Sequence, residues 1–257
     1  MITSCPPNDM ASLDSIKPCG QCPVRTYGIC SVVGQEHFAR LASLVTILEL
    51  SRKTVFVREQ ESADHVYVLL RGAAKLYKML SDGRRQTLGF VYPGDVLGLA
   101  AGDGYCFSAE TLEPVRLCRL PKTKLKSLAR QVDGMDERLF ECVVGDLVGA
   151  HEQVLLLGRK TAPERLASFL HRRSLQARPT RTRLCLPMSR GDIADFLGMT
   201  IETVSRAFAQ LRRQGIVDTP NLHEVIILLP AELEALAQGG APRRVESPSR
   251  DFAEINE

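Results

Sequence analysis

The segment of residues 190–211, RGDIADFLGMTIETVSRAFAQL, constrains the fold more than any other part of the chain. Gly198 stands where a left-handed turn residue is needed, and Thr200 is a residue type that caps helix N-termini. Apolar residues recur at helical spacing on both sides of this turn. The predicted buried faces consist of Ile193, Ala194, Leu197, Val204, Phe208 and Leu211. The pattern predicts a helix-turn-helix, which is a DNA-binding motif.

The second helix carries Glu202, Ser205 and Arg206 at i, i+3 and i+4, near its N-terminus. Such a helix inserts this end into the major groove, where Arg can pair with guanine and Glu with the cytosine amino group. The alternative is an ordinary surface helix with a Glu202–Arg206 ion pair. We expect the trio to read bases. Further DNA contacts are predicted for Ser189, Arg190, Thr200, Thr203 and Arg213.

Basic residues cluster around this motif. Residues 159–183 contain eight Lys/Arg and one acidic residue, Glu164, although the net charge of the chain is only +3. We therefore expect this segment to lie along the phosphates of double-stranded DNA.

Length and composition indicate an ordinary globular protein. The chain has 257 residues, 44% hydrophobic and 25% charged, which is room for about two domains. No apolar run has the length of a membrane span and the N-terminus does not resemble a signal peptide, so we expect no membrane contact and a cytoplasmic location. In that reducing compartment, eight cysteines are better explained by metal ligands or redox sensors than by disulfides.

Periodicity divides the chain into five regions. Helical spacing over residues 37–48 is followed by short strands separated by turn signals, typical of an antiparallel β-roll. A pair of strands predicted at residues 216–217 and 224–229, joined at Pro220-Asn221, would make the helix-turn-helix winged. The predicted strands of the roll are residues 55–57, 66–70, 74–78, 86–91 and 115–120. The predicted regions are residues 1–18, disordered; 19–131, cysteine segment and roll; 132–158, a long helix; 159–236, winged helix-turn-helix; and 237–257, a disordered tail. The fold class is α+β.

The long helix of residues 132–158 has a spacing of +4, +3, +4, +3, which is typical of a coiled-coil seam. The alternative is a helix packed on its own domain. We expect it to form a homodimer. The predicted seam is Val143, Leu147, Ala150, Val154 and Leu157.

Three cysteines, Cys19, Cys22 and Cys30, are spaced C-x2-C-x7-C and need a fourth ligand. Zinc and iron–sulfur clusters both accept four sulfurs, so spacing does not decide between them; structural zinc is the leading alternative on physical grounds. A thiol-redox sensor or a redox enzyme is a further alternative, but the five histidines are scattered and form no catalytic constellation. Candidates for the fourth ligand are Cys5, Cys106, Cys118, Cys142 and Cys185.

The order of roll, long helix and winged helix-turn-helix resembles the CRP/FNR superfamily of bacterial transcription regulators. The E-x-x-S-R of Glu202–Arg206, together with the cysteine triad, resembles its FNR-type, FnrN-like oxygen-responsive branch. The resemblance implies an oxygen-labile [4Fe-4S] cluster. Its fourth ligand would be Cys118, in the family-like motif LCRLP. It also implies a transcription activator, not an enzyme, which binds a palindrome of TTGAT-type half-sites. Residues 81–86 are either a contact with RNA polymerase, as the resemblance implies, or a plain hairpin turn.

The chain departs from the family pattern in two places. The x7 spacing is longer than in the best-known members, and Ala150 stands where an acidic residue is frequent, so that dimerisation should be easier. Relatives that bind cyclic nucleotides carry Arg-Ser for the phosphate, whereas this chain has Phe107-Ser108. Without that cation a buried phosphate would be poorly compensated, and we expect no cyclic nucleotide.

Overall fold

The computed structural model describes residues 19–100, 102–176 and 182–240. Within these ranges, two four-stranded antiparallel sheets form a roll, one long helix follows, and a helical domain with a three-stranded antiparallel sheet completes the chain. This architecture confirms the predicted α+β class. No helix in the described ranges is long and apolar enough to cross a membrane.

The elements of the amino-terminal half are a short 3-10 helix at Ile29–Val32, α1 Gln35–Leu44, β1 Thr46–Leu50, β2 Val55–Val57, β3 His65–Arg71, β4 Ala74–Met79, β5 Arg85–Val91, β6 Val96–Leu97, β7 Ser108–Thr111, β8 Val115–Pro121 and α2 Lys122–Ala129. Those of the carboxyl-terminal half are α3 Met135–Arg159, α4 Ala162–Gln176, β9 Arg183–Cys185, α5 Arg190–Leu197, α6 Ile201–Arg213, β10 Val217–Asn221, β11 Glu224–Ile227 and α7 Pro230–Ala237.

The sheet of order β1-β8-β3-β6 is covered on both faces, whereas the second sheet, β2-β7-β4-β5, closes the roll. Successive strand residues point to opposite faces. In β8, Leu117 accordingly joins the core inside the roll, and Cys118 joins a second core outside it. That outer core includes Val24, Ile29 and Met135, so the cysteine segment and the start of α3 pack on the outer face.

The helix predicted for residues 37–48 is shorter in the structure. It ends at Leu44, and residues 46–50 form β1, whose Ile47 pairs with Cys118 of β8. The apolar residues that seemed to continue the helix instead fill an edge position of the sheet. Periodicity cannot separate these possibilities for a short apolar run, because strand pairing is a long-range property.

The long helix also has a later start than predicted. Residues 122–129 form the separate helix α2, and Gly134 adopts a left-handed conformation with φ 75° immediately before α3 begins at Met135. Only glycine adopts such a φ readily, which sets the boundary there.

The wing turn lies two residues later than predicted. Pro220 and Asn221 belong to β10, and Asn221 Oδ1 accepts a hydrogen bond from His223 N at 2.9 Å to start the turn. The register with β11 shifts between Asp218 and Asn221, so Pro220 stands at an irregularity where it need not donate to the ladder.

Other elements were not predicted, namely β6, β7, β9 and α7. The buried Ala237 ends α7, so the tail predicted from residue 237 begins too early. The predicted disordered segment of residues 1–18, and residues 241–257, lie outside the described residues.

The roll and the helix-turn-helix share a continuous core. The ring of Phe90 in β5 lies 5.9 Å from Phe169 of α4 and 5.3 Å from Phe196 of α5. Beside them, Lys75 Nζ of β4 lies 2.7 Å from Asp192 Oδ1 of α5, and both side chains are largely buried. The DNA-binding half therefore packs directly on the sensor half of the same chain.

Candidate DNA-recognition surface and cysteine site

Local capping builds the helix-turn-helix. Ser189 and Asp192 form a capping box at the start of α5, and Gly198 adopts φ 60° at its end. Thr200 Oγ1 accepts a hydrogen bond from Thr203 N at 3.2 Å and caps α6. The first unpaired amides of both helices are thus satisfied within the motif.

Helix α6 is sharply two-sided. Val204, Phe208 and Leu211 are buried. Glu202, Ser205 and Arg206 are exposed together on the opposite side, as the sequence predicted. In the described part of the chain, no ion pair within 4.0 Å joins Glu202 to Arg206, although Arg206 contributes electrostatically to the lowered pKa of Glu202. Hydrogen bonds from the backbone and from Thr200 lower the pKa of Glu202 and keep it ionised.

The other predicted contact residues divide between the surface and the interior. Ser189 and Arg213 are exposed and Thr203 is half-buried. The guanidinium of Arg190 instead stacks 3.5 Å above the Phe208 ring, and burial lowers its pKa to about 10. Arg190 remains charged at neutral pH, but its orientation makes it a packing residue behind the exposed face. Contact between these residues and DNA stays a prediction.

Most of the described cations in the basic segment of residues 159–183 have partners within the molecule; Arg178 and Arg181 lie outside the described residues, and contact of the segment with phosphates stays a prediction. Arg165 binds backbone carbonyls, Arg172 lies 3.6 Å from Glu152, and Arg173 stacks on Tyr92. Lys160 donates to Ser168 and Ala237, and Arg183 pairs with Glu224. The number of basic residues can be read from the sequence, but their partners within the molecule cannot. The exposed cations nearest the reading face are Arg206, Arg212 and Arg213.

Ile201 is a surface residue that sequence reasoning missed. It is the first residue of α6 and remains about half exposed although it is apolar. An apolar side chain at this end of a recognition helix can contact a thymine methyl group. The sequence feature that could have identified Ile201 is its position directly before Glu202, at the start of the recognition helix.

The structure brings four cysteines together. Cys19 and Cys22 lie in turns and Cys30 in the short 3-10 helix before α1; Cys22 and Cys30 pack against the outer core that contains Cys118, and Cys19 is buried nearby. The thiols of Cys22, Cys19 and Cys30 each interact electrostatically with Cys118. Cys118 is thus the fourth-ligand candidate that lies beside the triad in the described residues, and its role as a ligand stays a prediction.

Burial dominates the electrostatics of this cysteine group. It raises the pKa of Cys118 and of Cys19, and raises that of Cys30 to about 12, so the free thiols are protonated at neutral pH. Arg25 opposes the shift at Cys19 and Cys30, and Arg116 opposes it at Cys118. Four thiolates here would need a positively charged ligand to replace the protons.

Of the remaining fourth-ligand candidates, Cys5 lies outside the described residues and Cys185 is disulfide-bonded. Cys106 is exposed, and Cys142 on α3 interacts with Arg138 and Asp146 rather than with other cysteines. Among the described residues, no group of three or more His, Cys, Asp or Glu side chains is close enough to hold a single metal ion.

Helix α3 presents an uncovered apolar surface. We define the α3 stripe as its large exposed apolar residues, Phe140, Val144, Leu147, Val148, Val154 and Leu155. Of the predicted seam, Leu147, Ala150 and Val154 are exposed, whereas Val143 and Leu157 are half-buried against their own chain. The stripe is rotated relative to the predicted seam because these two residues pack inward.

The cysteine segment also contacts the start of α3. Arg138 Nη2 donates a hydrogen bond of 2.6 Å to the carbonyl of Tyr27, which lies between Cys22 and Cys30. Met135 is completely buried in the same core as Cys118. A change in the shape of the cysteine segment would thus reach α3 directly.

Comparison with known proteins decides the family. A Crp-like helix-turn-helix domain matches residues 164–236, and a cyclic nucleotide-binding domain matches residues 47–132. The transcriptional activatory protein AadR of Rhodopseudomonas palustris is 41% identical over 223 residues, which cover 84% of this chain and 91% of AadR. The chain belongs to the CRP/FNR family of transcription regulators.

Other members of the CRP/FNR family place the chain in its FNR-type branch. The transcriptional activator protein FnrL of Cereibacter sphaeroides is 30% identical over 216 residues, covering 81% of this chain and 87% of FnrL. The solved structure of FixK2 from Bradyrhizobium japonicum has 36% identity and a TM-score of 0.70, and covers 77% of this chain and 98% of FixK2. The chain is thus a DNA-binding transcriptional activator and not an enzyme.

The cyclic-nucleotide-binding fold of this CRP/FNR member lacks the expected phosphate-binding arginine. Phe107, which stands in its place, packs against the core inside the roll. Ser108 Oγ accepts a hydrogen bond from Glu59 N at 3.0 Å. Both side chains thus make contacts within the roll.

Proposed function

We propose that this activator is a homodimer that senses low oxygen through a [4Fe-4S] cluster and binds a palindrome of TTGAT-type half-sites. The observation that carries the proposal is the grouping of Cys19, Cys22, Cys30 and Cys118 against the start of α3. The family supplies the DNA-binding part, and the cysteine group supports the sensing part.

A donor set of four thiols fits either a zinc ion or an iron–sulfur cluster, and the resemblance of the cysteine triad to the FNR-type branch favours the cluster. A zinc site draws its sulfurs to about 2.3 Å from one ion, whereas a cluster binds its four thiolates at separate irons. When bound, an iron–sulfur cluster supplies a centre that oxygen degrades.

The protein's own residues prepare this site for an anionic group. Arg25 is fixed by a hydrogen bond of 3.2 Å to Val33 O and by its position 4.2 Å above the Phe38 ring. Arg116 lies on β8 two residues from Cys118. These two cations offset part of the negative charge of four thiolates, in surroundings where burial makes that charge costly.

We infer that the cysteine segment controls α3 through Arg138 and Met135. A ligand that holds Cys22 and Cys30 fixes the Tyr27 carbonyl between them, and so fixes the Arg138 side chain on α3. Loss of the ligand would free that segment and loosen the first turns of the helix. The α3 stripe, which needs an ordered helix to pack on its copy, would then dimerise less well.

The α3 stripe is the proposed dimer surface. A large apolar patch on one helix is typical of an interaction site, and two-fold symmetry matches a palindromic operator. Substitution Ala150→Asp places like charges near the two-fold axis and should weaken the dimer by roughly 1 kcal/mol or more. Ala150→Asn is the uncharged control. Sedimentation that shows equal weakening by both variants would contradict a charge effect at the interface.

The sensing proposal is tested by the visible absorption spectrum of anaerobically purified protein before and after exposure to air. We expect a brown protein with equal iron and acid-labile sulfide, which bleaches in air and shifts from dimer to monomer in sedimentation. A colourless protein that contains zinc would contradict the cluster. A coloured protein whose dimer fraction is the same in air would contradict oxygen control of dimerisation.

Base readout by α6 is tested with Arg206→Ala, with Arg213→Ala as the matched control. Arg206→Ala should cost about 1–3 kcal/mol on a TTGAT-type palindrome and relax the preference at one G·C pair. Arg213→Ala should weaken all sequences equally and reduce the salt slope by about 1. Equal weakening of all single-base variants by Arg206→Ala would make Arg206 a phosphate contact.

We infer that the tip of the β4–β5 hairpin contacts RNA polymerase. Its exposed side chains include Met79, Leu80 and Arg84, which support this role. Gln86, however, donates to the carbonyl of Asp195 at 2.6 Å, so it serves the contact between domains. Arg84→Ala should reduce transcription activation in a purified system and leave DNA affinity unchanged; unchanged activation would contradict the contact.

A further inference from the structure

The carboxyl-terminal end of α3 meets the turn of the helix-turn-helix directly. We define the junction as Gln153, Leu157 and Arg165, three side chains that converge on the end of α5. The carbonyls of Phe196, Leu197 and Gly198 lie at this end, where a helix leaves its last acceptors unpaired and partly negative.

Arg165 is the centre of the junction. Its guanidinium donates to Leu157 O at 2.8 Å and Lys160 O at 2.9 Å, at the end of α3, and to Leu197 O at 2.9 Å, at the end of α5. A longer bond of 3.3 Å reaches Gly198 O. In the described part of the chain, no carboxylate lies within ion-pair distance of Arg165. Its charge is therefore directed at the two helix ends, which it ties together.

The other two junction residues reach the same turn from α3 itself. Gln153 Nε2 donates to Phe196 O at 2.6 Å. Leu157 packs so closely on Gly198 that a Cβ atom at that position would lie 2.9 Å from Leu157 Cδ2. Gly198 is thus required for this approach as well as for its positive φ.

We propose that the junction sets the angle between the dimer helix and the recognition helix, and that Arg165 is its positioning residue. The junction would thereby determine which spacing between two half-sites the dimer accepts. This inference rests on the proposed dimer and its palindromic site. It assigns Arg165 no contact with DNA: a planar guanidinium with several donors can hold two helix ends in one orientation, which a lysine ammonium cannot.

Rigid coupling at this point has a geometric consequence. In a symmetric dimer, two recognition helices enter successive major grooves only if their separation matches the DNA repeat. Loss of the junction would let each domain turn independently. The dimer would then accept several spacings, each with lower affinity, while each recognition helix still reads its half-site.

The experiment measures binding of anaerobically purified full-length protein to TTGAT-type palindromes of the preferred spacing, and of spacings one base pair shorter and longer. The variants are Arg165→Gln, Arg165→Lys and Gln153→Ala. Arg159→Gln is the control, because it removes a charge from the exposed end of α3, where the described residues show no hydrogen bond from this side chain to the turn. Single-base variants of one half-site report base reading separately.

We expect Arg165→Gln to lower affinity for the preferred spacing about tenfold or more and to reduce the spacing preference to about twofold, with base preference unchanged. Arg165→Lys should behave like Arg165→Gln, and Gln153→Ala should show a smaller loss in the same direction. If Arg165→Gln has the same spacing preference as Arg159→Gln, the proposal that the junction sets the half-site spacing is wrong. Equal loss of base preference and spacing preference would also overturn it, because the damage would lie within the helix-turn-helix. A wild-type protein that binds a palindrome no better than one half-site would instead contradict the proposed dimeric function.

Discussion

The helix-turn-helix and the cysteine site are held in place by different means. In the helix-turn-helix, each helix has its own side-chain cap, and both helices bury apolar side chains in a continuous core that extends into the roll. In the cysteine site, Cys19, Cys22 and Cys30 lie in irregular turns, and the fourth thiol, Cys118, comes from a strand far along the chain. The helix-turn-helix is capped and packed by its own chain, whereas the cysteine site brings together four thiols, and burial raises the pKa of Cys19, Cys30 and Cys118.

The difference indicates a division of labour between the two regions. A preformed reading surface keeps its base preference in all states of the protein. A site assembled from distant segments changes shape when its ligand is lost, and it does so against α3. The cysteine site would therefore control how the two recognition helices of a dimer are paired, and not the base preference of each helix.

The largest expected effect is loss of the cluster on removal of one thiol, which tests whether the cysteine site and the helix-turn-helix are independent. Cys118→Ser should abolish cluster assembly, measured as iron and acid-labile sulfide after anaerobic purification, and leave the helix-turn-helix folded. Cys106→Ser is the control, because that thiol is exposed and distant from the group. Full cluster content in Cys118→Ser, with loss in Cys106→Ser, would make our ligand assignment wrong.

The converse change damages the reading surface only. Phe208→Ala removes a buried ring that also supports Arg190, and should lower the free energy of unfolding by about 3–5 kcal/mol in urea denaturation. Leu228→Ala, at an exposed site, should change it little. Iron content should stay normal in both proteins, and its loss in Phe208→Ala would show that the regions are not independent.

A smaller effect is expected where the two halves touch. Lys75→Met leaves the buried Asp192 carboxylate without its cation and should cost about 3 kcal/mol. Burial works against the ionised Asp192, but hydrogen bonds from Lys75 and Ser189 lower its pKa below the ordinary 3.8. A lowered folded-state pKa gives stability that is present above pH 3.8 and lost as the pH falls through the folded value. The difference in free energy of unfolding between wild type and Lys75→Met, measured by urea denaturation, should thus be constant near neutral pH and shrink below about pH 4. A difference that does not depend on pH would exclude the ion pair as its cause.

The smallest effect concerns one cap. Thr200→Ala removes the acceptor for Thr203 N at the start of α6 and should lower the free energy of unfolding by about 1 kcal/mol. Thr200→Ser keeps the acceptor and should retain most of that stability. Equal loss in both variants would mean that the methyl group, rather than the cap, stabilises the helix.

The same contrast explains what sequence could predict. The reading face of Glu202, Ser205 and Arg206 follows from local periodicity, and the structure exposes these residues together. The boundaries at Leu44 and Met135 depend on strand pairing and on a positive φ, which periodicity does not record. The burial of Arg190 and the use of Arg165 within the fold depend on tertiary partners, which a count of basic residues does not record.

Prediction of the cysteine site from sequence meets the same limit. Three of the thiols were evident from C-x2-C-x7-C, whereas the choice of Cys118 needed family resemblance, because β8 lies about ninety residues further on. Arg138 and Tyr27, which join the site to α3, had no sequence signal at all.

The central claim is that the state of the cysteine site controls how two unchanged reading surfaces are paired. The most direct test compares the affinity for a TTGAT-type palindrome with that for a single half-site, before and after exposure of the iron-loaded protein to air. We predict that air lowers palindrome affinity about tenfold or more and leaves half-site affinity and base preference unchanged. Equal loss on both DNAs, or no loss on either, would contradict the account.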